Sequence, residues 1–273
     1  MNYSTFKKLC GTMLFAACIP ALVSAPSRGI SQTSHAMMTT KRLAAARGKT
    51  MKETSPYTSN LRIISKFSSR DFTPDGNLAK GVWRRAHWMH FDHGAWVSQN
   101  YPQSETEVAS VWTTTSVYLA YRCKYTTLNV FKGEDPAVEK WGLWDRDVVE
   151  AFINPIPERV NHYYEFEVAP NNQWVDLKIN KDKTPMVADA NWNSHFEHAT
   201  HIDSAHHIWT CEIRIPVASL GVKSISAGSQ WRLNLFHIDG GGNGTQRHFL
   251  SWSTTGSPGF HVPTRFGIVD FAR

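Results

Sequence analysis

Apolar and polar positions alternate with a period of two along most of residues 61–273. In 209–215, Trp209, Cys211, Ile213 and Ile215 fall on one side and Thr210, Glu212 and Arg214 on the other. Val117, Leu119, Tyr121 and Cys123 share a face in the same way, as do Val149, Ala151 and Ile153, and Tyr164, Phe166 and Val168. Residues 173–180 set Val175, Leu177 and Ile179 against Trp174, Asp176 and Lys178. Successive side chains of a strand point to opposite faces, so each run reads as a strand with one face buried. Pro155-Ile156-Pro157, Pro170-Asn171-Asn172 and the glycine-rich 239–244 punctuate the runs. Short strands between such turns predict an all-β fold, an antiparallel β-sandwich of the jelly-roll or immunoglobulin-like kind. Pro216 predicts a single helical turn over 217–221, and no longer helix is expected outside the N-terminal leader.

The first 60 residues follow a different pattern. Lys7 and Lys8 precede an apolar run, 9–23, that ends in Val23-Ser24-Ala25. A basic start, a short apolar stretch and small residues at the exit predict a signal peptide over 1–25 and a secreted or periplasmic protein. The run is too short to be a transmembrane helix, which needs about 20 apolar residues. Phe15-Ala16-Ala17-Cys18 is a poor lipobox, and a lipid-anchored form through Cys18 is the alternative. Residues 26–60 are rich in Ser, Thr, Ala, Lys and Arg and bury too little apolar surface to order themselves, so they read as a disordered basic linker. The domain proper is expected over 61–273, a length that suits one all-β unit.

Charge then excludes a function class. Of the formal net charge of +6, Lys7 and Lys8 hold two and residues 26–60 hold five, which leaves −1 on 61–273. A nucleic-acid-binding domain carries its positive charge on the folded surface, and this one does not. Tryptophan is instead abundant, with 11 residues.

Three constellations invite a chemical reading. Acidic residues gather at Asp145, Asp147 and Glu150, and at Glu165 and Glu167. Paired carboxyl groups serve glycosidases, but alternation sets Asp145 and Asp147 opposite Glu150, and Glu165 and Glu167 read as neighbours on a polar face. His195, His198 and His201 recur every third residue, a spacing that does not converge in a strand, and the segment reads as a loop of solvated histidines. Cys123 and Cys211 lie on apolar strand faces, and a disulfide between them and two free buried thiols are equally consistent with the sequence.

A series of short motifs carries a resemblance. Asp75-Gly76 is followed by Trp83, then Val117-Tyr118-Leu119-Ala120-Tyr121, then Trp144-Asp145-Arg146-Asp147 running into Val148-Val149-Glu150-Ala151-Phe152-Ile153. Tyr163-Tyr164-Glu165-Phe166, the 209–216 strand, Trp231-Arg232-Leu233-Asn234, Ser251-Trp252-Ser253 and Phe260-His261-Val262-Pro263-Thr264-Arg265-Phe266-Gly267 complete it. In this order they resemble the family 9 carbohydrate-binding modules, including their bacterial family 9-like branch, from about Phe67 onward.

The resemblance implies a non-catalytic sandwich that clamps a terminal sugar between two aromatic rings, often beside a partner glycoside hydrolase, with calcium as structural ion. It places the clamp on Trp144 and Phe260 and a hydrogen-bonding carboxylate on Glu150. A sugar-contacting arginine of the family falls on Glu167, which reverses the charge. A glutamine falls on Phe236, and Phe260 stands where tryptophan is frequent. No metal ligand is assigned by the resemblance. Sugar faces rich in C–H stack on aromatic rings, and carboxylates accept from hydroxyl groups, so the roles are chemically coherent. A haem-binding or electron-transfer sandwich, which would use axial His or Met, and a structural cell-surface domain are the alternatives.

Overall fold

A computed structural model describes residues 55–240 and 246–273. The expected signal peptide and most of the expected linker lie outside the described residues. Thirteen strands form among those described. In chain order the first six are β1 (Arg62–Phe67), β2 (Trp88–Phe91), β3 (Thr106–Trp112), β4 (Ser116–Lys124), β5 (Val148–Asn154) and β6 (His162–Val168). Then come β7 (Trp174–Asn180), β8 (Val187–Asp189), β9 (Glu197–Asp203) and β10 (Ile208–Pro216). The last are β11 (Gln230–Asp239), β12 (His248–Ser251) and β13 (Gly267–Ala272). Among the described residues helical structure is limited to single turns, including Gly81–Arg84 and the expected turn after Pro216, Val217–Leu220.

Hydrogen bonding runs in the order β8-β7-β6-β5-β11-β13-β1-β3-β4-β10-β9, with β12 on β11 and β2 on β3. The path curls back on itself. Val108, Leu119, Tyr121, Trp209 and Ile213 from one end share a buried core with Val149, Ala151, Phe166, Leu235 and Val269 from the other. This face-to-face packing is the expected sandwich. Two pairings depart from a purely antiparallel arrangement: β1 runs parallel to both β13 and β3, and so joins the two halves.

Alternation fills the core as the sequence indicates. Val149, Ala151 and Ile153 of β5 and Phe166 and Val168 of β6 all face inward. Cys123 and Cys211 are buried free thiols; Cys211 stands opposite Tyr121, so the two cysteines are offset by two residues across β4 and β10. The histidine segment departs from expectation. Ladder bonds to β10 make 197–203 a strand, β9, rather than a loop, and His198 and His201 fall on opposite faces of it. The N-terminal boundary also shifts. Tyr57, inside the segment expected to be linker, donates to the Pro157 carbonyl at 3.1 Å and lies under the Arg232 guanidinium, 4.0 Å from ring centre to charge.

The Asp75-Gly76 motif has a structural reason. Glu212 is fully buried on β10, and its carboxylate accepts from the backbone N–H of Asp75 and of Gly76, both at 2.8 Å, and from Trp83 Nε1 at 2.5 Å. Lys80 Nζ completes the set at 2.7 Å. Gly76 has φ +77, and a Cβ there would come within 2.8 Å of the Thr200 carbonyl carbon, so only glycine fits. Truncation of Glu212 strands the Asp75, Gly76 and Trp83 N–H groups and takes from Lys80 its buried partner, leaving it Asp75 and the Thr73 carbonyl. Glu212→Ala is expected to cost on the order of 3–5 kcal/mol, read from the urea midpoint. A loss below about 1 kcal/mol would contradict the anchoring role.

Candidate functional site

The half-sheet β7-β6-β5-β11 has a second inward face, turned away from the sandwich core. β5 presents Val148, Glu150 and Phe152 there, opposite Ile238, Phe236 and Asn234 of β11. β6 presents Tyr163, Glu165 and Glu167, and β7 presents Ile179, Leu177 and Val175 opposite them. Glu150 and Glu167 are direct cross-strand partners, as are Phe152 and Glu165. This face is buried too, because Leu143, Phe260, Phe266 and the half-buried Trp96, Trp144 and Phe249 fold over it from loops and β12. Between sheet and cover is a cavity of about 470 Å³.

Trp144, Phe260 and Glu150 all line that cavity. Trp144 follows Gly142, whose φ of +82 turns the chain into the helical turn Leu143–Asp145. Its ring meets Trp141 edge-on, with centroids 4.9 Å apart. Arg247 donates to the Trp144 carbonyl and fixes the backbone there. Phe260, the second expected clamp residue, does not project as a free ring. It is only 8% exposed and stacks on Phe236 at 4.1 Å and 12°, so an apolar partner stands where the family resemblance suggested glutamine. The loop places Phe260 as packed wall, with Trp96 5.8 Å away.

Glu150 is buried rather than outward-facing, and Glu165 and Glu167 do not form a solvated polar face. Both faces of their sheet are covered, which the acidic residue types hide from a reading by alternation. Glu165 lines the cavity beside Glu150. Glu167 does not line it, but its carboxyl lies within 4.8 Å of both others. Asp147, by contrast, is a structural acid that accepts from Gly240 N at 2.6 Å and Asn129 N at 2.7 Å. Trp96, Trp141, Phe249 and Arg247 were not singled out by the sequence. The Trp141-Gly142-Leu143-Trp144 spacing, two tryptophans flanking a glycine turn, was the available signal.

Burial dominates the electrostatics. It holds Glu150 and Glu167 well above the usual carboxylate range and pushes Glu165 up to about 7. Glu165 Oε2 and both oxygens of Glu167 are met by no backbone or basic donor, and the two carboxyls lie within hydrogen-bond reach of each other, so that a proton held on Glu167 serves Glu165. His261 Nε2 is 3.9 Å from Glu165 Oε2, too long for a hydrogen bond, and burial pulls that imidazole down to about 4, so it is neutral and forms no ion pair. Arg247 is the only cation lining the cavity among the described residues: it donates to the Trp144 carbonyl, lies 4.0 Å from Asp145 and 4.7 Å from the Phe249 ring, leaves its buried Nε–H unpartnered, and its charge partly offsets the effect of burial on Glu150.

The three glutamates are also the only converging set of three His, Cys, Asp or Glu side chains among the described residues. They fit structural calcium poorly. Calcium takes six to eight oxygens around it, whereas these carboxyls come from two neighbouring strands of one wall and face aromatic rings. Another deeply buried acid, Glu212, is met by the Lys80 ammonium.

Fold and cavity together define an all-β sandwich whose second sheet face forms a recessed, aromatic-walled site. The chain matches the family described as carbohydrate family 9 binding domain-like over residues 75–272, and it belongs to that family. Among solved structures it is similar to a candidate carbohydrate-binding protein from Bacteroides uniformis, with a TM-score of 0.63, 18% identity, and coverage of 78% of this chain and 100% of that one. It is also similar to a family 9 carbohydrate-binding module from Caldicellulosiruptor kristjanssonii in complex with cellotriose, with a TM-score of 0.57, 15% identity, and coverage of 78% and 94%. A family 9 module from that organism in complex with glucose gives a TM-score of 0.57, 16% identity, and coverage of 78% and 97%. These likenesses establish the sandwich fold. A curated relative, an extracellular protein of Arthroderma benhamiae, is 26% identical over 146 residues, 47% of this chain. The chain spans 62% of the length of that relative.

The carboxyl cluster predicts a pH dependence with a definite sign. Near pH 4 and below, Glu165 is protonated both folded and unfolded and costs nothing. As pH rises from there to about 7, the unfolded chain ionises freely while burial resists ionisation in the folded state, so stability falls across that window. Glu165→Gln removes the penalty. Its melting temperature relative to the parent is expected to rise between pH 5 and pH 8, by thermal melts across that range. A relative melting temperature that is flat or falls would contradict the assignment.

Proposed function

We propose that the folded part of this chain is a non-catalytic module that binds a carbohydrate in the cavity over the β5–β6 face. The observation that carries this reading is the composition of the cavity wall: Trp96, Trp141, Trp144, Phe249 and Phe260 enclose the same space as Glu150 and Glu165. Aromatic rings take the C–H faces of a pyranose, and carboxyl groups take its hydroxyls. Trp144 and Trp141, which is 57% exposed, are the stacking platform at the mouth. Phe260 serves as the opposing wall, held by Phe236. Glu150 receives hydroxyl groups, and Glu167 acts from behind it. The family 9 modules solved with cellotriose and glucose make these the first neutral ligands to try.

Hydrolysis does not suit this arrangement. A glycosidase flanks the scissile bond with two carboxyl groups. Here the carboxyls share one wall, and the other wall is made of rings and Arg247.

Trp144→Ala is expected to weaken binding of a responsive oligosaccharide about tenfold or more, with little change in melting temperature. Phe260→Ala opens a buried gap, so it is expected to lower both affinity and stability, the latter by about 3–5 kcal/mol. Calorimetry with parallel melts tests both, and the same incubations are expected to release no reducing sugar. A Trp144→Ala protein that melts early yet binds normally would overturn the platform role.

The leader of 1–25 supports export of this module, and a curated relative is named as extracellular. Mass spectrometry of secreted protein is expected to show a first residue near Pro26. Retention of the whole chain in the cytoplasm would contradict export, and diacylglycerol on Cys18 would establish the lipoprotein form instead.

A further inference from the structure

We infer that the ligand is a neutral oligosaccharide held at two adjoining places, with one unit in the cavity and the units that follow it in a polar groove beyond Trp96. The inference rests on the carbohydrate-binding reading above and deepens it. The groove has a volume of about 590 Å³, and Trp96, Ser98, Gln99, Asn100 and Thr254 are among its lining residues.

Two observations join the groove to the cavity. Trp96 lines both. The same two segments also flank both spaces. The loop 93–100 brings Trp96 to each, while the loop 254–260 gives Gly256 to the groove and Gly259 and Phe260 to the cavity. Trp96 is therefore a ridge between them, and a sugar chain can cross it by laying a C–H face on the ring.

The groove is held in shape by the protein itself. The loop 93–100 closes at its base, where the Gly94 N–H donates to the Gln99 carbonyl at 2.8 Å and the Tyr101 N–H to the Asp92 carbonyl at 2.7 Å. A Cβ at Gly94 would collide with Val97, so glycine permits this tight return. Ala95 then fastens the loop to both neighbours. Its N–H donates to the Phe249 carbonyl at 2.7 Å. Its carbonyl accepts from the Thr255 N–H at 2.7 Å and from Thr255 Oγ1 at 3.0 Å. The two walls are thus fixed against each other, which lowers the ordering cost of binding.

The chemistry of the lining selects the ligand. No Asp, Glu, Lys or Arg lines the groove. Burial holds the His93 imidazole below its ordinary value, so the groove is uncharged at neutral pH. The side chains of Ser98, Asn100 and Thr254 are exposed and have no hydrogen-bond partner among the described residues. Two hydroxyls and an amide each donate and accept, as the hydroxyl groups of an uncharged sugar chain do. A charged sugar finds no counter-charge there, and a monosaccharide in the cavity leaves the groove to water.

The test is calorimetry on the secreted chain with glucose, cellobiose, cellotriose and cellotetraose. A second unit reaches Trp96, and the third and fourth enter the groove. Affinity is expected to rise at least about tenfold from cellobiose to cellotetraose. In the double variant Asn100→Ala/Thr254→Ala, cellotetraose is expected to bind about fivefold more weakly or worse, while glucose keeps its affinity. The melting temperature is expected to hold, because both side chains are exposed. Affinity that is level from cellobiose onward overturns the inference and leaves the carbohydrate reading intact. A length dependence that survives the double variant undiminished also overturns it, since the chain then runs elsewhere. Loss of glucose binding in the double variant overturns the division into two places. Failure of all four sugars to bind overturns both readings.

Discussion

The half-sheet β7-β6-β5-β11 is covered on both of its faces, and the site follows from that constraint. One face of β5 carries Val149, Ala151 and Ile153 into the sandwich core. The other carries Val148 and Phe152 into a second cluster closed by Leu143, Phe260 and Phe266. Every side chain of β5, and Glu165 to Val168 of β6, is therefore away from water, whatever its type. Apolar residues gain from this by the area they remove from solvent. Glu150, Glu165 and Glu167 lose, because burial penalises their charged forms.

That penalty is compounded by pairing. Like charges placed directly opposite across strands destabilise a sheet, and Glu150 and Glu167 are such a pair. The arrangement persists because the surrounding packing determines it: Phe236 on one side of Glu150 stacks with Phe260, and Leu177 stands opposite Glu165 on the other strand. The same aromatic packing that forces the carboxyls out of water also shapes the cavity in front of them. Strain and cavity therefore share one cause, and a ligand that occupies the second can relieve the first.

The fold was legible in the sequence because alternation is a local signal. The strands through 117–123, 149–153, 164–168 and 209–215 could be read from period two alone, and so could the turn after Pro216. What was not legible depended on which elements lie over which face. The run 197–203 is mixed polar and looks like a loop, yet it pairs with β10 along its length. Phe260 sits among Gly259, Pro258 and Pro263, a context that suggests exposure, but Phe236 lies across from it on β11 and holds it down. The family resemblance located Trp144, Glu150 and Phe260 on the cavity, while Trp96 and Phe249 come from distant parts of the chain that only the tertiary fold brings there. Acidic residues on alternating positions suggest solvent, and no local pattern says that a second layer covers them.

Burial of a carboxyl does not by itself mark a site, and this chain holds the control for that statement. Glu212 is as deeply buried as Glu167. Its oxygens are met by two backbone N–H groups, the Trp83 indole and the Lys80 ammonium, all within hydrogen-bond reach. It closes the loop at Asp75-Gly76 and has no capacity left for a ligand. Asp147 is similar, with Asn129 and Gly240 as donors. Glu165, on the same kind of strand and lining the cavity, receives no backbone N–H and no cation on its Oε2. The difference between these acids lies in what faces them. Around Glu212 the chain supplies its own positive charge, whereas in front of Glu165 it supplies aromatic rings and an open volume. A buried acid whose surroundings leave it unmatched beside a cavity of ligand size is the arrangement expected where the complement arrives from outside.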